Sequence, residues 1–373
     1  MTPEEVELLS ELTIVIPTYN RPLELERAIE YWRDLPVTVH ILDGSDNPCF
    51  SVGNLIKDSG AIFYHHIPNK SEDGHFHHNW YERINYGLSI ANTEFAAIIG
   101  GDDFFLLSGL IKALKTLVEC EQVDIIKGRD IFFQKNTDSL RWWKSFLPTG
   151  ASSKYLKSAE LIERLKFDPR ELRQAHYGIS RTKNLKAVWF DVARSVFSSR
   201  FLNEWFHEQL HLAFCRVKVV DVFIHLREQP HKKNLAIWEE ERLILDRDEE
   251  HKVACQLFKE TFGKIDPLLD EHTLNELALS RADWLFDLLA YKESPPIEKT
   301  PLKAHQKVVL TLRKYLRNAV LSLPPSVLGL LYLVKPQIRS QIENHTPLIF
   351  DEREFFEKLL LKPREELRLR ANI

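Results

Sequence analysis

Sulfur is scarce in this 373-residue chain, which holds one Met and four Cys. Cys49, Cys120, Cys215 and Cys255 lie far apart and form no CxxC pair, which excludes a disulfide framework and a zinc knuckle and implies a reducing, cytosolic compartment. Glycine is also sparse, and 13 Gly with 18 Pro exclude a collagenous or low-complexity chain. Neither sign of charge dominates: 50 Lys+Arg against 54 Asp+Glu leave a net charge of −4 and argue against a polybasic nucleic-acid binder. No window reaches the roughly 18 to 20 apolar residues of a membrane span. The nearest, Val327 to Val334, is eight residues long and follows Pro324-Pro325. The N-terminus carries Glu4, Glu5, Glu7 and Glu11 and no basic residue, the opposite of a secretory signal. What remains is ordinary folded-protein composition, 44% hydrophobic, 11% aromatic and 28% charged, at a length that fits two domains or one with a large extension.

The first third alternates strand-like runs with amphipathic stretches. LTIVIP (Leu12 to Pro17), VTVHIL (Val37 to Leu42), AIFYHH (Ala61 to His66), FAAII (Phe95 to Ile99) and VDIIKG (Val123 to Gly128) read as strands. Between them lie a helix opened by Pro22, with Leu25, Ala28, Ile29 and Trp32 on one face, and another from Asn79 to Ala91. Ser108 reads as the N-cap of a further helix. This alternation implies βαβ crossovers and an α/β fold with a mostly parallel sheet flanked by helices. A helix from Asn203 to Phe214 and a strand from Val217 to Ile224 would complete it. Residues 1–233 form the expected main domain and 234–300 a helical extension. Residues 301–373 form a basic, amphipathic C-terminal region. Between Pro301 and Ile342 seven Lys or Arg occur without an acid, and Val309, Leu312, Leu316, Val320 and Leu323 recur at helical spacing. Such a stripe either meets an anionic membrane surface or packs on the main domain with a solvated basic flank.

In parallel sheets ligands bind beyond the carboxyl ends of the strands, where the polar turns after Pro17, Leu42 and Ile99 fall. Backbone amides at Thr18 to Arg21 can face an anion, and Asp43 with Ser45 can meet a base or ribose or simply form a turn. Asp102-Asp103 brings two carboxylates to one cleft mouth, where a divalent cation on a diphosphate would offset their charge. Three nearby histidines, His75, His77 and His78, read as surface or substrate-contacting groups rather than as zinc ligands.

LTIVIPTYNRPLELERAIEYW, then VTVHILDGSD, then NYGLSIANTEFAAIIGGDDF together resemble the N-terminal half of a family 2 glycosyltransferase of the GT-A fold. The likeness is to a bacterial subgroup with the order IPTYNRP, DGSD and DDDF. It is good from Leu12 to Lys127, weaker to Glu228 and absent beyond. It implies a Rossmann-like GT-A domain with a helical C-terminal extension, binding a nucleotide-sugar donor. Pro17, Thr18, Tyr19 and Arg21 match the loop lining the nucleotide, and Asp43 and Ser45 match the segment at base and ribose. Arg83, Asn85 and Gly87 resemble the RNxG helix, with Ile84 inserted. Gly101 and Asp102 match donor contacts, and Asp102, Asp103 and His225 match positions at a Mn²⁺ or Mg²⁺ ion and the diphosphate. The first carboxylate of the acidic motif is replaced by Gly100-Gly101, so Lys70, Arg83 and Arg181 are candidates to share the cation's task. The general base maps to Glu204 in FLNEWFHEQLH, with Glu208 second. His176-Tyr177 and Trp205 are candidates to stack on an acceptor sugar.

The function implied is an inverting transfer of a sugar to a glycan or lipid-linked acceptor by a cytoplasmic enzyme, peripheral on the inner membrane face. The alternative is a degenerate glycosyltransferase domain that binds or scaffolds without turnover. A nucleotidyltransferase is disfavoured, because no Gly-rich, Lys-bearing phosphate loop follows Leu12 to Pro17.

Overall fold

A computed structural model describes residues 1–49, 52, 55–56, 59–68, 76–135, 140–144, 153–172, 175–192, 197, 199–228, 247–293 and 352–361. The basic stretch from Pro301 to Ile342 lies outside the described residues, as do Lys70 and His75 and the side chains of His77 and His78. The chain divides into two compact units, residues 1–285 with 351–373, and residues 286–350.

The first unit is built on a sheet of strands β1 (Leu12–Thr18), β2 (Thr38–Asp43), β3 (Ile62–His66), β4 (Phe95–Ile98), β5 (Phe104–Phe105), β6 (Ile125–Lys135), β7 (Leu140–Lys144), β8 (Ile179–Arg181) and β9 (Val217–Glu228). Their order is β3-β2-β1-β4-β8-β6-β9-β5, with β7 paired to β6 off the path. The pairs β1/β2, β1/β4, β2/β3 and β6/β9 are parallel, whereas β8 runs antiparallel to both β4 and β6. The expected α/β architecture, a mostly parallel sheet flanked by helices with a helical C-terminal part, is the one observed.

Every residue of β1 is buried, as a central parallel strand covered on both faces requires. Helices α1 (Pro3–Ser10), α2 (Pro22–Trp32), α3 (Phe76–Ile90) and α4 (Leu107–Glu119) accompany the first strands. α2 opens with Pro22 in its first turn and buries Leu25, Ala28, Ile29 and Trp32, the face its spacing predicts. After the short helices α5 (Ser153–Leu156), α6 (Leu161–Arg164) and α7 (Pro169–Leu172) come α8 (Thr182–Val192) and α9 (Arg200–Phe214). α10 (Arg247–Ile265) packs on α9 through Phe258 and Phe206, whose ring centroids lie 4.8 Å apart. α11 (Glu271–Glu293) follows.

The first turn of α4 corrects one expectation. Leu106, not Ser108, holds the N-cap position and gives no side-chain bond. The cap comes from Glu352, which accepts the Leu107 amide (2.5 Å) and the Ser108 hydroxyl (3.0 Å). α4 also lies so close to β9 that a Cβ on Gly109 would sit 2.0 Å from the Phe223 carbonyl oxygen. Backbone cannot yield as a flexible side chain can, so Gly109→Ala is expected to cost about 2 to 3 kcal/mol, the upper range of overpacking. Urea unfolding tests this: the midpoint falls at unchanged slope, whereas an unmoved midpoint would mean that the helix slides freely on the sheet.

Candidate functional site

Parallel register brings the ends of β1 and β2 together, with Thr18 opposite Asp43. Asp43 is 1% exposed, and its carboxylate is taken up from within. One oxygen accepts the Ser45 amide (2.9 Å) and hydroxyl (2.5 Å), and the other accepts the Tyr64 hydroxyl (2.6 Å). Burial and the Asp43 charge hold Tyr64 well above the usual phenol range. Ser45 in turn accepts the amide of Asn20, which adopts φ 51°, a left-handed conformation that Asn tolerates well. Asp43 and Ser45, both buried, thereby fix the shape of the turn that follows β1. Tyr64 was invisible as a site residue, since its partner lies on the neighbouring strand.

Thr18 is buried, and its hydroxyl has no hydrogen-bond partner among the described residues. Tyr19 is half-buried and Arg21 exposed, so both reach the open side of the turn. Pro17 is a correction: it sits inside β1, buried and paired with Leu42, and supports the loop without lining it. The Arg83 guanidinium lies against the backbone of Gly44, near Asp43 and Tyr19. Burial lowers its pKa to about 10, which leaves it protonated at neutral pH. It belongs to the turns after β1 and β2. Gly101 packs against Thr18, where a Cβ would meet the hydroxyl at 3.1 Å, so the acidic turn meets the end of β1 through the Thr18 side chain.

The two carboxylates of the acidic turn keep different partners but share the space beside Gly100, where a Cβ would lie 2.9 Å from Asp102 Oδ1 and 3.5 Å from Asp103 Oδ2. Asp102 is ion-paired with Arg21 on the open side. Asp103 turns inward, accepts the Glu228 amide (2.9 Å) and faces His225 and Arg227, each at 3.6 Å. Burial, then the Asp102 charge, raises its pKa, with Arg227 opposing. His225 is enclosed between Asp103 (3.6 Å) and Asp130 (3.7 Å), and Asp130 is held by Lys127 at 2.7 Å. Of the three expected ligands of Mn²⁺ or Mg²⁺, His225 is held inside these pairs, whereas Asp102 and Asp103 share the space beside Gly100. Among the described residues no group of three or more His, Cys, Asp or Glu is placed to hold a metal ion. A Mg²⁺ ion that took its other ligands from a diphosphate would need only one or two carboxylates, which Asp102 and Asp103 offer beside Gly100.

Helix α9 supplies the opposite wall. Glu208 is a second correction: fully buried, it accepts the Ala175 amide (2.7 Å) and lies 3.3 Å from His176 Nδ1, locked into the interior. One turn earlier, Glu204 is half-buried, and its charge acts on both His176 and Arg227. Trp205 is half-buried and packs on Phe201 and Trp284, whereas His176 is buried and offers no stacking face. Tyr177 is half-buried, with the Arg227 guanidinium 4.8 Å over its ring. Arg181, a candidate counter-charge, pairs with Phe95 at the far end of β4 and bonds Glu94 and the carbonyls of Leu117 and Val123. Around it lies a groove of 1240 Å³ whose Arg164 and Arg216 are committed to carbonyls and to Asp124. That groove is bracing, remote from the carboxyl ends of β1 and β2.

The residue that sequence reasoning missed is Arg227. It stands near the end of β9, nearly buried, and keeps its charge because Asp103, Tyr177, Asp130 and Glu204 surround it. Alternation along β9 was the available signal, since His225 and Arg227 share a face two residues apart.

His207, on the inner face of α9, stacks between Tyr81 (4.4 Å) and Trp189 (5.0 Å), with no hydrogen-bond partner at either ring nitrogen among the described residues. Burial holds its pKa well below the free value, so below about pH 6.5 the unfolded chain takes a proton there that the fold refuses. Stability is therefore lost at this site as pH falls. Between pH 7.5 and 5.5, His207→Phe is expected to lose about 1.4 kcal/mol less than the parent. Urea titrations at both pH values measure it, and equal losses would show that the folded chain accepts the proton.

The polar turns after β1, β2 and β4 gather at the carboxyl ends of a mostly parallel sheet, the place where ligands of such sheets bind. No family model matches the chain. Over 116 residues the chain is 33% identical to the GalNAc(5)-diNAcBac-PP-undecaprenol beta-1,3-glucosyltransferase of Campylobacter jejuni, a stretch that is 30% of this chain and 34% of that protein. The likeness thus spans about a third of that relative. Among solved structures, S. aureus TarS residues 1–349 in complex with UDP-GlcNAc gives a TM-score of 0.49 at 14% identity, over 89% of this chain and 88% of that one. A longer TarS structure gives 0.46 at 12% identity, over 97% and 55%.

Proposed function

We propose that the chain is an inverting glycosyltransferase of the GT-A type, moving a sugar from a nucleotide-diphosphate donor to a glycan or lipid-linked acceptor. The observation that carries this is the meeting, around Arg227, of the acidic turn on the donor side and Glu204 on the helix opposite. The relative from Campylobacter, whose name describes sugar addition to an undecaprenol-diphosphate glycan, supports the lipid-linked class of acceptor.

In this reading the nucleotide lies on the Thr18–Arg21 loop and the turn that Asp43 shapes, with Arg83 beneath. Glu204 takes the proton from the acceptor hydroxyl as its oxygen attacks the anomeric carbon. The bond to the diphosphate oxygen breaks with its electron pair, and the leaving charge develops beside Arg21 and Arg227. Such fixed charges stabilise a transition state without reorganisation. A single displacement inverts the anomeric configuration. Work at the cytoplasmic face, with the basic C-terminal stretch at the anionic surface, completes the proposal. No helix among the described residues is long and apolar enough to cross a membrane.

Incubating the full chain with labelled UDP-, GDP-, CDP- and dTDP-sugars and lipid-linked acceptors tests it. The expected result is label in the organic phase from one donor class. Tight nucleotide binding with no transfer to any acceptor would favour the scaffold reading.

A further inference from the structure

We infer that helix α12 (Arg353–Leu361), near the C-terminus, is a positioning element for the acidic turn, with Glu352 and Phe356 as the residues that act; this rests on the reading of that turn as the donor site. The four residues after Asp103 offer little of their own to hold the turn. β5 is two residues long, its partners are Leu226 and His225, and α4 begins at Leu107 without a local side-chain cap. The missing constraints come from the end of the chain. Glu352 satisfies the first amide of α4 and the Ser108 hydroxyl. Phe356 is fully buried, 5.4 Å from the Phe104 ring and 5.3 Å from Tyr31. Tyr31 in turn lies 5.5 Å from Phe104 and donates its hydroxyl to the Phe105 carbonyl at 2.5 Å. Lys135 donates to the Leu360 carbonyl at 2.7 Å and fixes the far end of α12.

Residues 104 to 108 are thus gripped at a ring, a carbonyl, an amide and a hydroxyl, all directly downstream of Asp102-Asp103. β5 is also the strand that lies beside the β9 segment bearing Arg227 and Glu228, so a shift there would move Asp103 against both partners. A helix that served stability alone would not need to place its carboxylate and its deepest ring on this segment.

Full-chain variants test it. Glu352→Ala, assayed well below its melting temperature, should weaken nucleotide binding about fivefold, the scale of a lost cap. Glu352→Gln keeps an acceptor oxygen for the Leu107 amide and should restore binding to within about twofold. Phe356→Leu, which keeps an apolar filling, gives a second perturbation should Glu352→Ala fold poorly. Amide hydrogen exchange over residues 99–106 is read in parallel without ligand, and it should quicken in Glu352→Ala and Phe356→Leu but not in β1 or β2. Unchanged binding and unchanged exchange in folded variants overturn the inference. If the parent binds no nucleotide, the donor-site reading fails by itself, and exchange alone decides whether α12 holds the turn.

Discussion

Glu204→Gln should reduce sugar transfer by about 10² to 10⁴ while leaving nucleotide binding unchanged. Gln keeps the shape and the hydrogen-bonding oxygen but cannot take a proton at working pH, so the loss falls on kcat. Glu204 is singled out by its neighbourhood. It sits one helical turn before the buried Glu208, on the wall that faces Arg227 and His176, and it remains half-open to the cleft. Glu208→Gln provides the internal contrast. Its carboxylate braces the Ala175 amide and His176, so its loss should appear in the urea midpoint more than in a base-dependent step. Steady-state kinetics with calorimetric donor titration separate the two. Undiminished kcat in Glu204→Gln would remove Glu204 from the chemistry.

Arg227→Met should cost about 10² to 10³ in kcat, comparable to removing one fixed charge from a preorganised site, with Arg227→Lys falling between. The reason is position. Arg227 is nearly buried, and its charge is shared among Asp103 at 3.6 Å, the Tyr177 ring at 4.8 Å and, through its field, Glu204. Met fills similar volume without charge, so the loss reports electrostatics more than packing. Lys restores a point charge but not the planar fork that meets a carboxylate and an aromatic face together. A variant with parental kcat would show that the leaving charge develops elsewhere. An equal rise in the donor dissociation constant would assign Arg227 to ground-state binding.

The fold was legible because its signals are local. Fully buried strands such as Leu12–Thr18 announce themselves as short β-branched runs, and α2 shows Pro22 followed by a 3.6-residue apolar period. The ends of β1 and β2 were legible too, since a polar turn after a buried strand in a parallel sheet can only lie at the ligand edge. What escaped depends on contacts distant in sequence. Adjacent carboxylates in one turn took different partners, Asp102 on Arg21 and Asp103 at the end of β9, through a two-residue strand too short to leave a periodic trace. The cap of α4 came from Glu352, far along the chain, so Ser108 was credited with a role its hydroxyl does not play. Glu208 and Trp205 share a helix with Glu204, and spacing alone could not say which face the sheet and the later helices would cover.

Calorimetric titration of the full chain with UDP, GDP, CDP and dTDP and their common sugar conjugates, each with Mn²⁺, with Mg²⁺ and with EDTA, tests the central claim most directly. Saturable binding of one nucleotide class is expected, with the sugar conjugate and its diphosphate competing for one site. The metal arms show whether an ion joins the bound diphosphate. No binding of any nucleotide under any condition would contradict the claim.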